Sequence, residues 1–249
     1  MSRTLLLLHG GGVAAWMWQP LIHELGDEFR VIAPDLPGHG ARRSERYLDH
    51  GVVAADLAAT LDDAAGPVVP VGFSLGAQLA LQFAVDFPHR TDGVVAISAQ
   101  TLAAPWPRLT LAMLRWAAPL ARREWFARAQ AKELGIPEAL MPDYLEESLA
   151  VDADGLIATV ATNLAFRVPA AWPSYDRPAL VLTGGREAGL VRRSAAALVA
   201  ARPATVQHSL AEAKHTLPLT HPAWVAGRIR ELFGDAAGED AAPAGASRH

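Results

Sequence analysis

Along the first hundred residues, short apolar runs alternate with longer amphipathic stretches. Residues 4–8, 30–33, 68–73 and 93–98 are apolar runs bounded by Gly, Pro or Asp, a pattern that predicts buried strands. Between them, residues 18–25, 51–65 and 76–87 space their apolar side chains three to four positions apart, as a helix with one buried face does, and Pro88 closes the last of these. Strand and helix in strict alternation predict an α/β domain with a mostly parallel sheet covered by helices on both faces.

The alternation stops after Ser98. Residues 101–172 are rich in Trp, Leu and Ala at helical spacing, broken by prolines, and predict a helical cap inserted into the domain. Strand patterns resume at 179–183 and, more weakly, at 205–210, followed by a helix over 222–233. The expected organisation is a core of residues 1–100 and 173–234, with a sheet of about six strands, a cap at 101–172 and a disordered tail at 235–249. No internal repeat is visible. Pro70 falls inside the expected central strand, where its missing N–H would break a ladder bond, so a bulge or a later strand start is expected there.

With 51% hydrophobic and 19% charged residues, the chain has the profile of a folded globular protein. A formal charge of −4 argues against nucleic acid as a partner. The pairs Arg42-Arg43, Arg122-Arg123 and Arg192-Arg193 read as solvated faces. There is no cysteine, which excludes disulfides, thiolate nucleophiles and Cys-ligated metals. Leu5–Leu8 is too short for a signal-peptide core, and no apolar stretch is long enough to span a bilayer, so the expectation is a cytoplasmic chain with no membrane partner.

Two glycine signals overlap near the start. Gly10 to Ala15 fits G-x-G-x-x-A after a strand, with Asp35 near the spacing of a ribose-binding acid, which would suit a dinucleotide fold. His9-Gly10-Gly11-Gly12 instead fits the loop that esterases wrap around a developing oxyanion. Val71-Gly72-Phe73-Ser74-Leu75-Gly76-Ala77 decides between them, because it sets G-x-S-x-G between a strand and a helix, the context a nucleophilic serine turn requires. The following helix directs its free N–H groups and its dipole at the serine, making the Leu75 N–H a natural oxyanion donor. The dinucleotide reading weakens accordingly: Asp35 heads a Pro-Gly loop, and bulky Trp16 and Trp18 stand where a phosphate-binding helix prefers small residues.

With these motifs in order the chain resembles the α/β-hydrolase family over most of its length outside the insertion and tail. His9-Gly10-Gly11 matches the family's oxyanion loop, and Asp35-Leu36-Pro37-Gly38-His39-Gly40 matches its D-x-P-G-H-G loop. The resemblance implies Gly11 as the second oxyanion donor and a catalytic order of serine, acid, histidine. It sets Glu187 at the acid position, where aspartate is more usual, and His215 at the base position. Glu187 could instead be a surface carboxylate paired with Arg186; Asp152 and Asp154 are the fallback acids. His9 and His39 are expected to hold loops through hydrogen bonds, and His208, His221 and His249 to have solvent or capping roles. Two strands that often lead the family's sheet are not expected in this sheet.

The implied activity is that of a serine hydrolase cleaving a carboxylic ester-type bond in a small, largely apolar substrate through an acyl-enzyme, with no metal or organic cofactor. Trp106, Trp116 and Trp125 are candidates for lining the substrate site. C–C bond hydrolase, lyase or perhydrolase chemistry on the same residues, and a non-catalytic binding module, remain the alternatives.

Overall fold

The computed structural model describes residues 2–61, 66–150 and 152–234. Among these, six strands form one sheet: β1 (Thr4–Leu8), β2 (Arg30–Ile32), β3 (Val68–Phe73), β4 (Val94–Ile97), β5 (Ala179–Gly184) and β6 (Val206–Leu210). All pairings are parallel and the order is β2-β1-β3-β4-β5-β6. The α-helices are α1 (Gln19–Leu25), α2 (His50–Thr60) and α3 (Leu75–Asp86) among the first strands, then α4 (Pro107–Ala121), α5 (Glu124–Leu134), α6 (Met141–Ala150) and α7 (Ala153–Ala165) between β4 and β5. After β5 come α8 (Gly189–Ala201), the short α9 (Leu217–Thr220) and α10 (Pro222–Phe233).

The chain belongs to the α/β class expected of it. Because a parallel strand inside this sheet has helices on both sides, its side chains alternate between two apolar layers. Leu5 and Leu7 pack with Trp18, Leu21, Ile229 and Phe233 on one face, while Leu6 and Leu8 pack with Leu57, Leu79, Phe83 and Leu198 on the other. The edge strand β6 is largely exposed, which explains its weaker apolar pattern.

Pro70 does not delay the strand, but the pairing on its β4 side slips by one residue beside it, as at a bulge: Val68 bridges Thr91 while Val71 pairs with Val95. β3 runs through it in register with β1, and the β4 ladder begins only at Val71 opposite Val95. The Asp92 N–H donates to the Val68 carbonyl on the β4 side, and alternation turns the Pro70 nitrogen to that same side, ahead of the ladder. Its missing N–H therefore removes no bond to β1. The helix expected over 51–65 spans His50–Thr60, with Asp49 capping it by accepting the Val52 N–H; residues 62–65 lie outside the described residues, as does the tail at 235–249. Helix α8 was not anticipated, because its run of alanines gives little periodic contrast.

The loops that follow β1 and β2 are pinned by two buried neutral histidines. His9 Nε2 accepts the Leu36 N–H at 2.9 Å, so its Nδ1–H donates to the Gly10 carbonyl at 2.8 Å. His39 Nε2 accepts the Gly12 N–H at 3.2 Å, and its Nδ1–H donates to the Pro37 carbonyl. A third, His50, takes the Tyr47 hydroxyl proton at Nδ1 and donates from Nε2 to Gln78, whose amide donates to the carbonyls of Gln100 and Asn163. Each ring needs one donor and one acceptor nitrogen, and a second proton would destroy that pairing.

Burial lowers the pKa of His9 to about 3 and of His50 to about 4, and also lowers that of His39. The unfolded chain protonates these rings near pH 6.5, while the folded chain does so only at the lower values, so their contribution is complete above about pH 6.5 and is lost as the pH falls. We expect urea melts at about pH 4.5 to show about 2 to 3 kcal/mol less stability per histidine for His9 and His50 than melts at about pH 7.5. A His50→Gln variant should show a shallower decline over the same interval.

Candidate active site

The order of the strands creates the site's location. From β1 the chain steps to β2 on one side and then back past β1 to β3 on the other, so the loops leaving β1 and β3 diverge at the carboxyl edge and open a crevice between them. The His9–Gly12 loop leaves β1 at this point and Ser74 follows β3 directly. Ser98, Glu187 and His215 follow β4, β5 and β6 along the same edge.

Ser74 occupies a conformation rare for a residue with a side chain, φ 54° and ψ −111°. Its N–H donates to the Ile97 carbonyl at 2.9 Å, while its carbonyl accepts from Ala77 and Gln78, so the turn is anchored to β4 and to α3. The glycines on either side are sterically required. A Cβ on Gly72 would lie 2.0 Å from the Gly76 carbonyl oxygen, and one on Gly76 would lie 2.0 Å from the Leu8 carbonyl oxygen. The turn is thus pressed against β1, and the helix starts under the serine.

The structure brings three predicted residues into one chain of contacts. His215 Nε2 is 3.3 Å from Ser74 Oγ, and His215 Nδ1 is 3.0 Å from Glu187 Oε2. The imidazole side chain is 40% exposed and the carboxylate fully buried, so Glu187 is shielded while His215 faces the solvent side. Glu187 Oε1 accepts the Gly184 N–H at 2.6 Å and faces the Ser98 hydroxyl at 2.7 Å. The carboxylate folds back onto the end of its own strand, which absorbs the methylene by which glutamate exceeds aspartate. Arg186, by contrast, is exposed, so the surface-pair reading of Glu187 does not describe this geometry. Asp152 accepts the Gly155 N–H as the cap of α7, and Asp154 lies in that helix's first turn.

Ser98 was missed in the sequence. It also has positive φ, 58°, is buried, and sits 3.1 Å from the His215 carbonyl oxygen, so one hydroxyl touches both the Glu187 carboxylate and the backbone of His215. The available signal was a polar residue ending a buried strand next to the serine strand.

The Gly10–Gly12 loop lies over the serine turn: the Cβ position of Gly10 is 2.9 Å from the Phe73 ring, and that of Gly11 is 3.9 Å from the Leu75 side chain. The Gly12 N–H is already committed to His39. Leu75 is the first residue of α3, so its N–H has no acceptor within the helix.

A cavity of about 970 Å³ adjoins this loop. Gly11, Gly12, Gly38 and His39 line it from the core, and Leu114, Phe126, Leu134, Tyr144 and Leu156 from the inserted helices. Arg43, Arg46, Arg115, Glu147, Asp152 and Asp154 make the remaining wall strongly polar, and the Gly40 N–H donates to the Glu147 carboxylate at 3.1 Å. Of the predicted catalytic and oxyanion residues only Gly11 lines it. Trp106, Trp116 and Trp125 do not; they are 77%, 80% and 65% exposed, and Phe126 faces the cavity in place of Trp125. Helical spacing marks a face of a helix but not which face turns inward. Among the described residues no cluster of His, Asp or Glu has the makings of a metal site.

A sequence profile described as the alpha/beta hydrolase family matches residues 5–228. The chain belongs to that family. Among curated relatives, it is 40% identical over 104 residues to the 2-hydroxy-6-oxo-2,4-heptadienoate hydrolase of Pseudomonas putida, covering 39% of this chain and 38% of that one. It is 34% identical over 105 residues to the pimeloyl-[acyl-carrier protein] methyl ester esterase of Vibrio campbellii, covering 41% and 40%. These alignments span less than half the length of the curated relatives. A solved thermophilic esterase from Thermogutta terrifontis superposes with a TM-score of 0.74 at 25% identity, covering 93% of this chain and 89% of that one.

The contacts at the serine turn predict a sharp difference between two glycines. Gly76→Ala should cost about 3 kcal/mol or more, because a backbone carbonyl must move to admit the methyl group. Gly227→Ala in α10, where a Cβ meets nothing within 4 Å, should instead stabilise by about 0.5 to 1 kcal/mol. Chemical denaturation of the two variants checks both.

Proposed function

We propose that this alpha/beta hydrolase is a serine esterase that cleaves a carboxylic ester-type bond through an acyl-enzyme. The observation that carries the reading is the unbroken line from Ser74 Oγ to His215 to Glu187, at 3.3 and 3.0 Å. Serine is a poor nucleophile at neutral pH and needs a base in contact with its hydroxyl and a group that holds the base in one tautomer. Glu187 accepts the Nδ1 proton, which leaves the Nε2 lone pair facing Ser74.

In the first half-reaction, His215 takes the Ser74 proton as Oγ bonds to the carbonyl carbon. The carbonyl π electrons move to oxygen, where the N–H groups of Leu75 and Gly11 receive the charge. The intermediate collapses, the C–O bond to the alcohol breaks, and His215 returns its proton to the leaving oxygen. Water then attacks the acyl group with the same histidine as base, and release of the acid restores Ser74. The helices α4 to α7, within residues 101–172, serve as a cap over the core, and the cavity beneath them receives a small-molecule substrate with both apolar and polar parts. No metal or organic cofactor is required by these steps.

A second reading, hydrolysis of a C–C bond next to a carbonyl, is favoured by the 40% identical 2-hydroxy-6-oxo-2,4-heptadienoate hydrolase and uses the same serine and histidine. Ser74→Ala, with an unchanged thermal melt, should lose p-nitrophenyl ester turnover by about 10³-fold or more and should not react with a fluorophosphonate probe. Unchanged turnover would overturn the proposal. Glu187→Gln and Ser98→Ala should both remain folded and labelled more slowly, with the larger loss at Glu187, measured as the rate of fluorophosphonate labelling. Comparing rates on esters with those on vinylogous 1,5-diketones separates the two readings.

A further inference from the structure

Helix α4 carries an apolar stripe that the hydrolase site does not use. Trp106, just before the helix, and Leu109, Met113 and Trp116 recur every three to four residues and are 58% to 80% exposed. Such spacing lines up one face of a helix. Leu114 and Ala117, beside the stripe, are partly buried and line the cavity, so the exposed residues are not the substrate-facing ones. Soluble proteins rarely leave several large apolar side chains in a row in water without an occupant for them.

The surrounding charge identifies the occupant. Between Asp92 and Glu124 the chain has no acidic residue and four arginines; Arg115 lines the cavity, and the other three, Arg108, Arg122 and Arg123, give a local charge of +3 in a chain whose total is −4. Glu124 is itself engaged by Arg128 at 2.9 Å. The acidic residues at the start of α7, Asp152 and Asp154, turn to the cavity. Tryptophans at both ends of an exposed apolar stripe, with arginines and no carboxylates alongside, match a helix that lies in the headgroup region of a bilayer. At 15 residues, α4 is too short to cross the roughly 30 Å hydrocarbon layer, so it lies in the interface. A second copy of the chain fits this face poorly: pairing α4 with itself would oppose arginines to arginines with no carboxylate on the helix to offset them.

We propose that the α4 face docks the folded chain reversibly onto an anionic lipid surface, through Trp106, Leu109, Met113 and Trp116 inserted among the acyl chains and Arg108, Arg122 and Arg123 against the headgroup phosphates. The docking is independent of the chemistry at Ser74.

The test is co-sedimentation of the full chain with vesicles of phosphatidylcholine alone and of phosphatidylcholine mixed equally with phosphatidylserine. Binding to the mixed vesicles, weak binding to the neutral ones and a loss on raising salt support the proposal. Trp106→Ala with Trp116→Ala should reduce binding by about tenfold or more, and Arg108→Gln with Arg122→Gln should reduce it about fivefold per arginine on mixed vesicles only. Leu109→Gln with Met113→Gln provides a second apolar variant should the tryptophan pair fail to fold. S74A should bind as the parent does, so failure of the esterase reading and failure of this one are separable. Absence of sedimentation with either vesicle, retention of full affinity by both apolar variants, or a dimer in sedimentation velocity that the tryptophan variant dissolves would each overturn it.

Discussion

Backbone pressed against backbone at the end of β3 is the contact on which the site depends. With only 2.0 Å between a would-be Cβ of Gly76 and the Leu8 carbonyl, and the same between Gly72 and Gly76, the strand, the turn and the first turn of α3 sit closer to β1 than side chains would permit. Ser74 is the residue left to absorb the reversal, and it does so at φ 54°. That strained conformation raises its hydroxyl above the sheet edge and points the unpaired N–H groups of α3 toward the same space. The loop after β1 can lie over the turn because its own residues there are glycines.

Charge is managed by the same economy of partners. Glu187, whose side chain has no access to solvent, accepts from the Gly184 N–H, the Ser98 hydroxyl and His215. His9, His39 and His50 are buried too, but each has one acceptor and one donor within reach, which holds it neutral and fixes its tautomer. The first two tie the β1 loop to the β2 loop, and the third joins the helix that follows Ser74 to the end of α7 through Gln78. The segments around the crevice are therefore positioned by hydrogen-bonded polar groups.

The helices between β4 and β5 work under the opposite condition. α4 turns Leu114 and Ala117 toward a cavity whose wall mixes leucines and aromatics with arginines and carboxylates, while its largest apolar residues face outward. A helix wet on one side and half-buried on the other shows apolar periodicity on both, so pattern alone cannot say which stripe the protein covers.

The amino-acid sequence by itself determined the class of fold, all six strands to within a residue at either end, and the placing of Ser74 in a strand-to-helix turn, because buried strands, glycine-bounded turns and a G-x-S-x-G at a strand end depend on neighbours a few positions away. His9 and His39 were expected to hold loops, but the partners that tie one loop to the other, Leu36 and Gly12, lie 27 residues away. The tertiary structure alone decided that Glu187 turns inward to His215 across 28 residues, that Ser98 stands beneath both, that Pro70 faces β4 where the pairing slips by one residue, and that Trp106, Trp116 and Trp125 face away from the cavity. Each of those outcomes depends on how strands far apart in the chain are ordered side by side and on which face of a helix meets them, and local periodicity contains neither quantity.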